Sequence, residues 1–242
     1  MRKRMFVMSI AMLALTGCAG VPTTSEVHYV GQSSDLGSGQ FIRVIANPPV
    51  DGMSPTALVN GFLDACADPT NNYQIAREYL TDAAGAQWDP TTGTRVFDAA
   101  SLDVEATGLR VSITAKRIAA ITALGRYSRA VSSKPVLEKL TVAKNRVGQW
   151  RINSLPDGLL LGQSEVDRSY RAWAVYYVDP SQTHVVADSV TLPAAAKGVP
   201  TMLVQALLST PAPELAAGVV SGFPAGTALT YGSVPVVEIG RA

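Results

Sequence analysis

The sequence predicts an α+β protein in which helices pack on a curved antiparallel sheet, followed by a smaller α/β unit. Three observations predict it. Between Ser54 and Trp88 apolar residues recur with a period of about 3.6, the mark of amphipathic helices. Between Val96 and Ser154 the period falls to about 2, the mark of half-buried strands. After Ser164 an aromatic strand pair precedes an apolar helical run. Helices first and a strand meander next is a segregated layout, with the helices covering one face of the sheet.

In chain order, Arg2-Lys3-Arg4 and the apolar run Met5 to Leu15 match the charged and hydrophobic regions of a secretory signal. The run is too short to cross a bilayer, which takes about 20 apolar residues. The ending Leu15-Thr16-Gly17-Cys18 resembles the lipobox of bacterial lipoproteins. That resemblance implies cleavage after Gly17 and a lipid on Cys18, which becomes the new N-terminus. Residues 1–17 are therefore read as the signal peptide. Loss of Arg2, Lys3 and Arg4 from the 20 Lys+Arg leaves 17 basic groups against 19 acidic ones, a formal charge of −2. A nucleic-acid surface needs a clustered basic excess, so none is expected. With Cys18 committed to lipid, Cys66 stands alone and no intramolecular disulfide forms. A hydrophobic share of 47% against 16% charged residues is that of a chain with a packed core.

Residues 18–40 are rich in Ser, Thr, Gly and Pro and have no periodicity, so they read as a flexible tether spanning roughly 25 Å. His28 falls in it and reads as a solvated linker residue. Phe41 to Ile45 reads as a short extended piece at a sheet edge, before Pro48-Pro49 breaks the chain.

Ser54-Pro55 is a helix start, with Ser at the N-cap and Pro at the first helical position. Leu58, Phe62 and Cys66, with Val59 and Leu63 beside them, form one broad apolar face ending near Asp68-Pro69. Cys66 on that face reads as a buried, inert thiol. A second helix is expected from Asn72 to Leu80, and Thr81 caps a shorter one leading to Trp88. Leu102, Val104 and Ala106 then alternate with Asp103, Glu105 and Thr107. Leu109, Val111, Ile113 and Ala115 alternate with Arg110, Ser112, Thr114 and Lys116. Val136 to Ala143 and Gly148 to Ile152 add two strands. Leu155 to Gln163 reads as an inter-domain passage and Ser164 to Ser169 as a short helix. Trp173 to Val178 and the stretch around His184 read as strands; Val199 to Leu208 and Pro211 to Val219 read as helices.

Several of these residues together resemble a known family. They are Val21-Pro22 after the lipobox, the block from Ser54-Pro55 to Phe62, and Ala76-Arg77-Glu78-Tyr79-Leu80-Thr81. Trp88, Gly148-Gln149-Trp150-Arg151-Ile152 and Leu155-Pro156-Asp157-Gly158 complete the set. Over residues 15 to about 160 they look like the LpqB-type lipoproteins of actinobacteria. The resemblance implies a nuclear-transport-factor-2-like cone over residues 41–160. Residues 170–242 are similar to the GerMN module of spore-germination proteins, through the aromatic strand, Leu207-Leu208 before Pro211, and Pro224-Ala225-Gly226-Thr227-Ala228-Leu229. Members of the family continue past the point matching Val237-Glu238-Ile239 into a propeller-like domain. The resemblance therefore implies a partial, incompletely covered second unit here.

The sequence offers little for catalysis. Two separated His residues, and no serine elbow, phosphate-cradling loop or paired-cysteine motif, give neither a catalytic set nor a metal set. No cofactor and no enzyme activity are expected. His184 reads as structural in its hairpin. Asp64 and Asp68, at i and i+4, and Asp103 and Glu105, on one strand face, are the candidate carboxylate pairs, and all four read as solvated. Two functions follow. Family resemblance implies a membrane-anchored, extracytoplasmic accessory to a sensor kinase of the MtrA–MtrB two-component type, acting in envelope and division control. The alternative is a cone that binds, or acts on, a small apolar or envelope-derived molecule. An apolar pocket with an inward polar group favours the second; a cone filled by its own side chains favours docking.

Overall fold

The computed structural model describes residues 46–131, 135–224 and 226–228. Gly17, Cys18, His28, the strand expected at Phe41 to Ile45 and the stretch Val237 to Ile239 lie outside the described residues.

Helix α1 (Pro55–Ala65) begins as its sequence dictates. Ser54 is extended, its Oγ accepts the Ala57 N–H at 3.2 Å, and Pro55 occupies the first turn. Leu58, Val59, Phe62 and Leu63 face the core, and Cys66 follows them into it. Helix α2 (Gln74–Glu78) is shorter than expected. Asn71, Asn72 and Tyr73 all have left-handed backbone, with φ of 50°, 58° and 57°, and cannot belong to a right-handed helix. At the other end Tyr79 and Thr81 turn their backbone to a strand: the Ile152 N–H donates to Tyr79 O at 2.9 Å and the Thr81 N–H to Ile152 O at 2.8 Å. Helix α3 (Asp82–Gln87) is capped by Thr81, whose Oγ1 accepts the Ala84 N–H at 3.3 Å.

Seven strands follow: β1 (Gly93–Phe97), β2 (Asp103–Thr107), β3 (Arg110–Thr122), β4 (Tyr127–Arg129), β5 (Pro135–Lys144), β6 (Trp150–Ser154) and β7 (Leu159–Gly162). The order is β6-β5-β3-β1-β7, with β2 and β4 also paired to β3. Thirteen residues long, β3 is the spine. Its first half lies between β2 and β5, and its second half between β1 and β4. Bulges at Val96/Phe97 and Thr141/Val142 mark where the pairing shifts register, as bends in a curled sheet require. Val111, Ile113, Ala115, Ala119 and Ile121 are buried along the spine.

The α+β expectation holds, with helices on a strongly curled sheet, and three details differ. The sheet is mixed rather than antiparallel, because β7 runs parallel to β1. The passage expected at Leu155 to Gln163 contains that strand. Leu159, Leu160, Leu161 and Gly162 are all buried, so no alternation marks them. Strand β2 is an edge strand, so Leu102 and Val104 are half-buried and Ala106 is exposed.

The second unit is a hairpin and a helix. After α4 (Gln163–Ser169), strands β8 (Tyr170–Val178) and β9 (Val185–Pro193) pair antiparallel from Tyr170 opposite Pro193 to Val178 opposite Val185. Helix α5 (Val199–Leu208) falls where expected and shares a second core with Val175, Tyr177, Val190 and Leu192. The helix expected at Pro211 to Val219 does not form. Pro213 disfavours helical backbone at the preceding Ala212, and the segment makes turn bonds such as Gly218 N–H to Leu215 O at 2.8 Å. It ends in a two-bond bridge between Val220 and Val178.

Trp88 knits the first unit together. Its ring meets Phe62 edge-on at 5.4 Å and Tyr73 at 6.1 Å, and Nε1 donates to Gly158 O at 3.2 Å. The Arg77 guanidinium lies 5.2 Å from its centre. Trp88→Ala is therefore expected to destabilise the fold by about 3–5 kcal/mol in urea titration, as large-to-small core changes do. A loss below about 1 kcal/mol, a typical single-mutation effect, would show that the ring is not a core element.

Candidate functional site

The carboxylates singled out in the sequence do not converge. Asp103 and Glu105 stand exposed on edge strand β2, as read. Asp64 is exposed near the end of α1, and Asp68 lies past the helix, where its Oδ1 accepts the Thr70 N–H at 3.0 Å. Asp64 instead shares a groove with Glu165 and Arg168; partial burial, with Glu165 next in weight, pushes its carboxyl upward. The Cys66 thiol is pushed far up by burial, so little thiolate forms, in keeping with an inert role. His184 is exposed on the β8–β9 turn, its Nδ1 2.8 Å from Thr183 Oγ1. Asp179 organises that turn, accepting the Thr183 and His184 N–H groups at 2.8 and 2.9 Å. The Ser181 hydroxyl, followed by the His184 amide, holds the Asp179 carboxyl down to about 2. Among the described residues no group of three or more His, Cys, Asp or Glu could hold a metal ion.

One buried carboxylate went unread. Glu138 on β5 has a side chain only 11% exposed, and its Oε1 lies 2.7 Å from Arg95 Nε on β1. Burial raises its pKa more than Arg95 lowers it. The signal was present as Val136, Glu138, Leu140 and Val142, an apolar strand face interrupted by one acid.

The interior of the curled sheet is filled by its own side chains: Leu58, Phe62, Trp88, Val96, Ile113 and Ile152 are each at most 5% exposed. An apolar cavity lies where the sheet meets the hairpin. A cavity of about 410 Å³ is bounded by Tyr73, Ile121 and Leu159 on one side and by Leu192, Pro193 and Met202 on the other. Within it Tyr170 OH and Thr94 Oγ1 lie 2.9 Å apart and share one hydrogen bond; both residues are buried, and burial pushes the Tyr170 phenol up. The left-handed Asn71 and Asn72 form part of its wall, a conformation costing about 1–2 kcal/mol per residue. Lys197 stands beside them and donates to Asn71 Oδ1 at 3.3 Å.

A clamp holds that boundary. Arg126, in the β3–β4 turn, pairs with Asp188 of β9, with side chains 15% and 8% exposed. Its Nη2 also donates to Tyr177 OH at 2.9 Å and to Thr210 O at 3.2 Å, while Asp188 accepts the Ala212 N–H at 3.1 Å. Gly125 beside it has φ +78°, and a Cβ there would come within 2.8 Å of Leu192 Cδ2. That close approach lets Gly125 O accept the Thr191 N–H at 2.7 Å.

The geometry defines a class: a helix-covered, curled α+β sheet with a filled interior, clamped to a hairpin-and-helix unit over an apolar cavity. Residues 48–167 match the family described as "Lipoprotein LpqB, N-terminal domain", and residues 174–239 match the one described as "Sporulation and spore germination". The chain belongs to the LpqB lipoprotein family. Proteins named Lipoprotein LpqB from Nocardia farcinica (37% identical over 180 residues, 73% of this chain and 29% of that protein) and Thermobifida fusca (34% over 239 residues, 92% and 38%) are similar to it. One from Streptomyces avermitilis is 33% identical over 233 residues, 90% of this chain and 38% of its own. The chain thus spans about a third of the length of these relatives. Their name is not that of an enzyme. No solved structure matches the chain significantly.

Glu138 gives a signed pH dependence. A carboxyl whose folded pKa is raised contributes stability that is fully present below its unfolded value of about 4.5 and is lost as pH rises through the folded value. Glu138→Gln is expected to remove that decline, so the stability gap between variant and wild type shifts in favour of the variant from pH 4 upward. Urea midpoints across that range read it. A gap that stays constant with pH would show that Glu138 titrates as an ordinary surface acid.

Proposed function

We propose that this protein is carried on the extracytoplasmic face of the cell membrane by lipid on Cys18, after cleavage following Gly17, and modulates a sensor kinase by docking. The observation that carries the reading is family membership: the relatives are named lipoproteins, and the chain opens with a basic, apolar and Leu-Thr-Gly-Cys series that fits that name. No helix among the described residues is long and apolar enough to cross a membrane, which leaves anchoring to the lipid in this reading. Residues 18–40 serve as tether, 41–160 as the first domain and 170–242 as the second one.

The kinase partner, of the MtrA–MtrB two-component type, follows from resemblance to the family. The filled interior supports docking over turnover: among the described residues the centre of the cone is taken by buried side chains such as Phe62, Trp88 and Ile113. A docked protein shifts a sensor only through different affinities for its two states; a tenfold difference, about 1.4 kcal/mol, moves that equilibrium tenfold.

Affinity capture of the full chain from solubilised envelopes, with mass spectrometry of anchor and partners, tests this. Lipid-modified Cys18 together with the sensor kinase is the expected recovery, and Cys18→Ala is expected to lose both lipid and kinase. A fully lipidated chain that captures no kinase would contradict the docking role, and an unmodified Cys18 would contradict the anchor.

A further inference from the structure

We propose that the cavity between the curled sheet and the hairpin binds a small amphiphile with an apolar body and a single anionic head. This inference is independent of the kinase reading. At about 410 Å³ the cavity falls within the roughly 300–1,000 Å³ range of small-molecule sites, and such sites are mostly apolar with a few placed polar groups.

Its chemistry selects the ligand. Tyr73, Ile121, Leu192 and Met202 offer apolar contact. One hydrogen bond joins Tyr170 and Thr94 and uses one of their two hydroxyl protons, so the other remains for an acceptor on a ligand. Lys197 is the one charged residue on the wall, and no acidic residue lines it among the described residues. Its ammonium carries three donors, of which one goes to Asn71 Oδ1, leaving two for a ligand head. Charge complementarity therefore commits the occupant to an anionic head, a carboxylate or a phosphate monoester, on an apolar chain.

Photocrosslinking on membranes that carry the full chain tests this, with palmitic acid bearing a diazirine at its chain end as the probe. Crosslinks are expected on peptides containing residues 69–73 and 191–202. Displacement by oleate or by lysophosphatidate tells which head is preferred, and oleyl alcohol is expected to displace several-fold less. Lys197→Gln is expected to lower the yield about fivefold, the effect of losing one partly solvated ion pair. Ala196→Trp, on the cavity wall, is expected to abolish it. Crosslinks confined to other peptides, or a signal in the cavity that neither substitution changes, would overturn the site. Equal displacement by oleyl alcohol would overturn the anionic head. Lys197 is exposed, so Lys197→Gln retains the fold and decides the question even if Ala196→Trp unfolds.

Discussion

Trp88 is the constraint from which the first unit is built. It stands where α3 ends and collects contacts from parts of the chain far apart in sequence: Phe62 from α1, Tyr73 from the left-handed segment, Arg77 from α2 and the Gly158 carbonyl ahead of β7. Aromatic pairs in edge geometry add about 0.5–1.5 kcal/mol beyond their burial, so these contacts reinforce a large apolar term. Arg77 ties the same region from outside the ring, donating to Asn72 O at 2.9 Å, to Trp88 O at 3.3 Å and to Gly85 O. Of the three left-handed residues before α2, Asn71 and Asn72 tolerate that backbone locally, and Tyr73, which does not, is held by its contact with Trp88.

Filling the centre with an indole has a consequence for function. A curled sheet covered by helices is a natural container, but here its volume is taken by Trp88, Phe62 and the spine of β3. An apolar cavity lies at the boundary with the hairpin, where Gly125 permits close approach and Arg126 fixes the seat. A buried ion pair is weak evidence for stability in itself, yet removing one partner typically costs about 3–5 kcal/mol, so the clamp enforces one arrangement. The binding capacity and the clamp therefore share one boundary. Occupancy of the cavity and the seating of the hairpin act on the same few residues.

Much of this was legible in the sequence. Ser54-Pro55 and Thr81 announced their helices because capping is local chemistry. The alternation along β3 announced the spine because one of its faces is buried. Three kinds of feature escaped. Strand β7 is buried throughout and so carries no alternation. The α2 boundary is set by the left-handed Asn71 to Tyr73, which Trp88 and Arg77 stabilise from a distance. Pro211 to Val219 has helical apolar spacing, but Pro213 disfavours helical backbone at Ala212, where that helix would start. For the site, the sequence pointed to Asp103 and Glu105, whose strand lies at the edge. The cavity depends on Tyr170, Leu192 and Lys197 meeting Asn71 and Ile121, a pairing of distant segments that no local pattern encodes.

In the proposed reading the protein is a lipid-tethered body that docks through its surface. The most direct measurement is hydrogen exchange on the membrane-anchored full chain, with and without the extracytoplasmic domain of the sensor kinase. The account predicts slowed exchange over one contiguous exposed region, with amides around Trp88 unchanged because they are already buried. Exchange unaltered everywhere at saturating sensor domain would contradict it.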